Sequence, residues 1–194
     1  MDHWRHYLLG RILETFGRRA RAIAAYAEAV HANREFHRAT NRIAFLLASM
    51  ERYAEAEGYF RAVLQLDPRN AVAHFNLGFA LEKLARPREA IECFREATRL
   101  KPTIDRAWYG MGMCHARLGE HAEAAKALEQ AAQLQPMNPH AWYALGMAQH
   151  ACRNRRRLRE IIFHLHRFDP RMARRLIIES ESTDLAYLVK DLVV

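Results

Sequence analysis

The residues of this chain that could do chemistry are its 11 histidines and three cysteines. Such side chains bind metals or attack substrates only when further ligands or a base lie nearby. No carboxylate or thiolate completes a ligand set here, and the chain has no glycine-rich phosphate loop, nucleophile elbow or paired catalytic carboxylates. We therefore predict packing roles for these residues, no enzyme activity, and neither a metal nor a cofactor site. The strongest candidates for a metal site are the pair His3 and His6, and the neighbours Cys114-His115 and His150-x-Cys152.

The composition indicates a folded chain. Apolar residues make up 51% of it and charged residues 27%, with only 8 glycines and 6 prolines. That is too apolar for a disordered segment and too poor in turn residues for an all-β sandwich. No apolar run reaches the roughly 18 residues that a membrane span needs. The first 25 residues contain several arginines and no uninterrupted apolar stretch, so we expect no secretory signal and a cytoplasmic protein.

A period of 34 residues organises the sequence. Four of the six prolines fall at this interval: Pro68, Pro102, Pro136 and Pro170. Aligned at the same period, the seventh positions are apolar and the eighth positions are small: Leu9, Ile43, Leu77, Met111 and Leu145, then Gly10, Ala44, Gly78, Gly112 and Gly146. A small residue at a fixed position lets two helices of one repeat approach closely. A single helix pair cannot bury its own apolar face, so the pattern predicts repeats that stack on one another.

Two segments show the repeat most clearly, AHFNLGFALEKLARPREAIECFREATRLKP (73–102) and AWYGMGMCHARLGEHAEAAKALEQAAQLQP (107–136). Their spacing of an aromatic, a small residue, late alanines and a closing proline resembles the tetratricopeptide repeat family. The resemblance implies an all-α, right-handed α-solenoid and a non-catalytic scaffold that binds other proteins. Its five helix-turn-helix repeats would fill residues 1–172 as 3–36, 37–70, 71–104, 105–138 and 139–172. Residues 173–194 would form a C-terminal capping helix and a short acidic and apolar tail helix.

Local signals place the helices and turns more closely. We expect helices of about 14 residues, the first four over 3–16, 20–33, 37–50 and 54–67. Gly17 and Gly119 fit the tight turn inside a repeat, where left-handed backbone favours glycine. Asp169-Pro170 fits the start of the capping helix. A second short helix is expected to begin at Ser182 or Thr183 and to place four apolar residues on one face: Leu185, Leu188, Val189 and Leu192.

The resemblance places a peptide-binding groove along the first helix of each repeat. At the ninth position, where the family usually has a polar residue, this chain has Phe45, Phe79, Met113 and Met147. Aromatic and thioether groups adapt to many ligands, and arginines and a lysine flank them. We therefore expect an acidic peptide segment with apolar anchors as the ligand. The predicted groove residues are Tyr7, Arg38, Asn41, Arg42, Phe45, Phe75, Asn76, Phe79, Lys83, Arg106, Tyr109, Met113, Arg117, Tyr143 and Met147.

Charge is concentrated near the C-terminus. Residues 151–175 contain nine arginines against Glu160 and Asp169, and residues 176–194 are acidic. The alternative function is therefore binding of nucleic acid or an anionic surface through the Arg-rich segment 153–175, although it lacks the interleaved aromatics that stack on bases. Internal pairing of the two segments is the other interpretation of this charge. For the tail, three arrangements remain open: a cap on the fifth repeat, disorder, or occupation of a groove, its own or that of a second copy in a homodimer.

Overall fold

The computed structural model describes residues 2–189, which form helices and turns with no β-strand in that range. The chain divides into two compact units, Met1–Lys101 and Pro102–Val194. None of the helices in the described range is long and apolar enough to cross a membrane. The first unit contains α1 (Asp2–Thr15), α2 (Arg19–Ala32), α3 (His37–Ser49), α4 (Tyr53–Leu66), α5 (Ala71–Lys83) and α6 (Pro87–Leu100). The second contains α7 (Asp105–Arg117), α8 (His121–Leu134), α9 (Pro139–Ala151), α10 (Arg155–Phe168), α11 (Pro170–Glu179) and a 3₁₀ helix (Thr183–Val189).

The helices follow the predicted period. The first four agree with the predicted bounds to within one residue at each end. Helices within a repeat pack on each other, and so do α2 with α3, α4 with α5, and α8 with α9. The all-α class and the helix-turn-helix repeats are therefore confirmed.

Close approach at the eighth position holds each pair together. A Cβ atom added to Gly10 would lie 2.5 Å from Tyr26 Cε1, and one added to Gly112 would lie 2.6 Å from Leu128 Cγ. Tyr26 and Leu128 occupy the same position in the second helices of their repeats and are fully buried. The small residue is thus required because a large buried side chain from the partner helix occupies the space beside it.

The turn inside each repeat uses left-handed backbone at one repeated position. Gly17 and Gly119 have φ values of 71° and 76°, as predicted. Glu51, Ala85 and Arg153 adopt the same conformation, with φ between 57° and 60°, although they carry a Cβ. The prediction from glycine therefore found only part of this pattern. In each turn the next amide donates to a carbonyl five residues earlier, which closes the helix end whatever the residue type: 18 to 13, 52 to 47, 86 to 81, 120 to 115 and 154 to 149.

The fifth repeat is closed differently. A Cβ added to Gly146 would lie 2.5 Å from Leu176 Cδ2, so a residue of α11 fills the space at this eighth position. Asp169 accepts a hydrogen bond from the Met172 amide at 2.9 Å and Pro170 opens α11, as predicted. The capping helix is therefore part of the last repeat's core.

The tail after α11 also packs on this repeat. Leu185 and Val189 are buried in one cluster with α9, α10 and α11. The predicted second helix starts at Thr183 but is a 3₁₀ helix, because the Leu185 amide donates to the Ser182 carbonyl three residues earlier. The predicted face residue Leu192 and the acidic Asp191 lie outside the described residues.

Candidate functional site

Two phenylalanines are exposed on the first helices of the first unit. Phe45 on α3 is 48% exposed and Phe79 on α5 is 36% exposed. Both stand at the ninth position of their repeats, and α3 contacts α5 directly. Adjacent helices of one unit therefore each present an aromatic ring to solvent.

The Phe79 ring is oriented by two neighbours. The ring of Tyr53 on α4 meets it nearly edge-on, with centroids 6.1 Å apart. The Lys83 ammonium group, one turn further along α5, lies 5.2 Å from the Phe79 centroid. A cation over an aromatic face is attracted by the ring's electrons. This patch therefore offers an apolar anchor and a positive charge side by side.

The aromatic residues at the fifth position are mainly packing residues with a partly exposed edge. Tyr7 is half-buried and its ring lies 5.5 Å from that of Tyr26. Phe75 is half-buried and its ring lies 6.0 Å from that of Phe94. Because Tyr26 and Phe94 belong to the second helices, these contacts tie the two helices of a repeat together.

The predicted amides are half-buried as well. Asn41 on α3 has its Oδ1 atom buried without a hydrogen-bond partner. Asn76 on α5 is half-buried. Since the Asn41 oxygen is out of reach of solvent, only the remainder of its side chain is available to a ligand.

The two arginines of α3 differ in whether they form an ion pair. Arg38 is exposed, and its guanidinium lies 5.8 Å from the Trp4 ring. Arg42 pairs with Glu14 at 3.5 Å, and Glu14 also accepts a 2.7 Å hydrogen bond from the Tyr26 hydroxyl. Part of the positive charge predicted for this surface is thus neutralised within the first unit.

In the second unit, the predicted groove residues are most exposed on α7. Met113 is 37% exposed, and Arg106 and Arg117 are exposed on the same helix. Tyr109 is half-buried and packs against the core of the second unit. The thioether at the ninth position is therefore accessible here, with arginines on either side of it along the helix.

On α9 the C-terminal helix covers part of the predicted surface. The Tyr143 hydroxyl donates to the Glu179 carboxylate, and the Arg175 guanidinium lies 4.8 Å from the Tyr143 ring. Burial and the hydrogen bond to Glu179 raise the pKa of Tyr143, whereas Arg175, 2.7 Å from Glu179, lowers the pKa of that carboxyl. Met147 is half-buried and packs against the core. The fifth repeat thus offers less open surface than α7 does.

Several arginines of the Arg-rich segment are paired within the chain. Arg157 contacts Glu129 at 2.5 Å and Glu160 at 2.8 Å. Arg159 lies 3.8 Å from Asp184 in the tail. The pair of Arg159 with Asp184 and that of Arg175 with Glu179 join the basic and acidic segments, so internal pairing accounts for part of the charge pattern.

A cleft lies between the end of α9, the start of α10 and residues 180–184, with a volume of about 560 Å³. His150, Arg155 and Arg159 line one side of it. Arg155 forms no ion pair with another residue of the described range. Glu181 and Asp184 line the same cleft, so its walls carry both positive and negative side chains.

Histidines and cysteines form no reactive cluster in the described range. Residues 2–189 contain no group of three or more His, Cys, Asp or Glu side chains placed to hold a metal ion. Cys114 is buried, and burial raises the pKa of the Cys93 thiol to about 11. Cys152 is exposed. A raised pKa keeps Cys93 as the poorly nucleophilic thiol at neutral pH.

One repeated contact was not predicted. The indole of Trp108 donates to the Pro102 carbonyl at 2.9 Å, and that of Trp142 donates to the Pro136 carbonyl at 2.8 Å. The period contains the signal, because each aromatic follows its proline by six residues. These bonds hold the start of α7 and α9 to the preceding loop.

Three tetratricopeptide repeat models match the chain, one over residues 5–36, one over 35–103 and one over 75–136 and 117–153. No curated protein matches it significantly in sequence. Among solved structures it is similar to YrrB, a TPR protein with an unusual peptide-binding site, at 22% identity and a TM-score of 0.79 over 91% of this chain and 90% of that one. It is also similar to the MamA protein, at 20% identity and a TM-score of 0.78 over 95% and 96% of the two chains. PilF of Pseudomonas aeruginosa gives 20% identity and a TM-score of 0.73 over 96% and 87%. With helices, period and close-packing positions in agreement with these matches, the chain belongs to the tetratricopeptide repeat family.

Proposed function

We propose that this protein is a non-catalytic adaptor that binds a peptide segment of another protein on the first helices of its repeats. The observation that carries the proposal is the exposure of Phe45, Phe79 and Met113 at one repeated position. Large apolar side chains left in solvent on a folded domain often mark an interaction site. Phe45 and Phe79, on adjacent helices of the first unit, offer two anchors to an extended or helical segment, and Met113 offers an anchor of its own in the second unit.

Charge near these anchors favours an acidic ligand. Lys83 lies over the Phe79 ring, Arg38 is exposed on α3, and Arg106 and Arg117 are exposed on α7. Carboxylates flanking an apolar anchor would meet these cations and gain both attraction and orientation. We therefore propose a ligand with aromatic or aliphatic anchors and Asp or Glu on either side.

The structural neighbours are compatible with this function. YrrB is described as having an unusual peptide-binding site. At 22% identity, its similarity to this chain concerns the fold alone. The family supports a scaffold that contacts other proteins, and the choice of peptide rests on the exposed residues of this chain.

The proposal is tested with two fluorescent peptide libraries that share Leu, Phe and Tyr anchors, one with Asp and Glu flanks and one with Lys and Arg flanks. We expect binders from the acidic library only. In the double variant Phe79→Asn with Met113→Asn, a selected peptide should lose at least about thirtyfold in affinity, because anchors at an interface contribute roughly 2 kcal/mol or more each.

The matched control is Leu66→Asn with Leu134→Asn. These two leucines are similarly exposed, one in each unit, but they lie on second helices. Both double variants should keep the unfolding free energy to within about 1 kcal/mol. Equal loss of peptide affinity in the two variants, or none in either, would show that the ninth positions are not the binding site.

The Arg-rich segment supplies the second candidate, binding of nucleic acid or another anionic surface. It is favoured by the cleft that Arg155 and His150 line and disfavoured by the pairing of Arg157 and Arg159 with carboxylates. Titration with DNA, RNA and anionic vesicles at rising salt distinguishes it. Binding that falls steeply with salt and is lost in Arg153→Gln with Arg155→Gln would support this function.

A further inference from the structure

The first helix carries an apolar face that no other described helix covers. Leu9 and Ile12 are 49% and 54% exposed, and Leu8 and Phe16 are exposed beside them. At about 100° per residue, these four side chains lie within an arc of about 100° around the helix axis, with Phe16 directly after the last residue of α1. Arg5 falls in the middle of the same arc. The face is therefore one continuous stripe along the helix with a single cation inside it.

Equivalent positions in later repeats are buried by a preceding helix. At the seventh position Ile43, Leu77 and Leu145 are buried, in α3, α5 and α9 respectively. At the tenth position Leu46, Ala80 and Ala148 are buried as well. Each of these three helices packs against the second helix of the repeat before it, α2, α4 or α8. The stripe on α1 thus has apolar residues at the positions that contact a preceding helix in later repeats, but no described helix packs on it.

The charge on and around the stripe selects the occupant. The third position is Ala39, Ala73 and Ala141 in α3, α5 and α9, all buried, and Arg5 in α1. Arg5 forms no ion pair with another described residue, and Arg11, Arg18 and Arg21 are exposed nearby in sequence. Burying Arg5 against a neutral helix would leave its charge without compensation, whereas a carboxylate on the incoming helix would pair with it.

We propose that the apolar face of α1 is a docking surface for an acidic amphipathic helix of a partner protein. Leucines, alanines or valines on the helix would contact Leu9 and Ile12, as α8 contacts α9 within the second unit. An aspartate or glutamate would reach Arg5. A second copy of this chain is a poorer occupant. Two α1 faces would bring arginine-rich surfaces together, and the acidic tail up to Val189 already packs within its own chain. This surface is separate from the ninth-position residues of the proposed peptide site.

The probe is a peptide with the sequence of α8, His121–Leu134, which already packs on a face of this type. A side-chain staple joining the exposed positions 122 and 126 keeps it helical, since a free peptide of this length is marginally stable as a helix. The acidic probe has Gln130→Glu and Gln133→Glu. The basic probe has Gln130→Lys and Gln133→Lys, so the two differ only in charge at exposed positions.

We expect the full chain to bind the acidic probe at least tenfold more tightly than the basic one, as measured by fluorescence anisotropy. The double variant Leu9→Ser with Ile12→Ser should bind the acidic probe at least tenfold more weakly. Arg5→Glu should reverse the preference between the two probes. Because the acidic probe also has the composition proposed for the ninth-position ligand, the comparison is repeated in the variant Phe45→Asn with Phe79→Asn. The preference for the acidic probe and its dependence on Leu9 and Ile12 should persist in that variant. Circular dichroism checks that each variant remains helical.

Equal binding of the two probes, or acidic-probe binding that survives the Leu9 and Ile12 changes, would overturn the proposal. Sedimentation of the chain without peptide tests the second copy. A dimer that dissociates in the Leu9→Ser with Ile12→Ser variant would identify another copy of this chain as the occupant and would equally overturn the assignment to a partner helix.

Discussion

The helices α1 and α9 have the same residue at the seventh position of their repeats and opposite surroundings. Leu9 on α1 is about half exposed, whereas Leu145 on α9 is fully buried. α9 is packed by α8 before it and by α11, whose Leu176 lies against Gly146. α1 has no helix before it in the described range. The repeat pattern therefore specifies a face for packing, and the neighbouring helix decides whether that face is core or surface.

The two helices differ also in what their surface can bind. On α9 the C-terminal helix covers Tyr143 through Glu179 and Arg175. On α1 the apolar stripe is open and Arg5 has no carboxylate partner among the described residues. On α9 the covered surface contributes to packing of the fifth repeat, whereas for α1 we propose that the exposed surface binds a partner.

The largest expected effect comes from the same substitution made on both helices. Leu145→Ala should lower the unfolding free energy by about 2–5 kcal/mol, because it leaves a cavity in a packed core. Leu9→Ala should cost less than about 1 kcal/mol, because the side chain is already half in water. Chemical denaturation of both variants measures the difference. Similar losses would mean that α1 is covered in solution.

Removing the tail tests the cap on the last repeat. A chain ending at Ile178 loses buried Leu185 and Val189 and the Glu179 bond to Tyr143. We expect a loss of about 3 kcal/mol, since burial of a Leu or Val side chain contributes about 1.5–3 kcal/mol before the entropy of ordering the tail is subtracted. Urea unfolding of the two chains measures it. An unchanged midpoint together with a gain in peptide affinity would instead mean that the tail occupies a binding surface.

The eighth position distinguishes a closed pair from an open helix face. Gly112→Leu should destabilise the protein by about 1–3 kcal/mol, because the new side chain has no room beside Leu128. The control Gly58→Leu lies on the exposed side of α4 with nothing within 4 Å of a new Cβ atom. It should leave stability unchanged or raise it by up to about 1 kcal/mol. Thermal unfolding that ranks the two variants in the opposite order would contradict the observed register.

The smallest expected effect concerns the turns. Ala85→Gly removes a Cβ from left-handed backbone, so it should stabilise by about 0.5 kcal/mol after the extra entropy of the unfolded chain is counted. Gly119→Ala should destabilise by a similar amount. Ala27→Gly, at an exposed position within α2, is the control and should cost about 1 kcal/mol. If Ala85→Gly and Ala27→Gly cost the same, the turn at residue 85 is not left-handed in solution.

Much of the fold could be predicted because its signals are local and repeated. The bounds of the first four helices follow from the period, and Asp169-Pro170 begins α11 as a cap and first-turn proline do elsewhere. Left-handed turns at Glu51, Ala85 and Arg153 could not be predicted from residue type. There the hydrogen bonds that close the helix end override the preference for glycine.

For the predicted surface residues, exposure could be predicted from the sequence, but pairing with other helices could not. Phe45, Phe79 and Met113 were expected in solvent from their position in the repeat and are exposed. Arg42 was predicted to contribute positive charge to the groove, and Glu14 from another helix pairs with it. Such a pairing depends on which helices meet, and the spacing along one helix does not reveal it.

The sequence by itself determined the class of fold, the repeat, the close-packing residues and the row of apolar residues at the ninth position. All of these follow from periodicity, since a helix places residues at fixed angles along its axis. The tertiary structure alone decided that Leu176 fills the space beside Gly146, that Glu179 covers Tyr143, and that Leu9 and Ile12 remain about half exposed. Those outcomes depend on contacts between residues far apart in the chain. The repeat pattern does not specify which residues pack against α1 and α9.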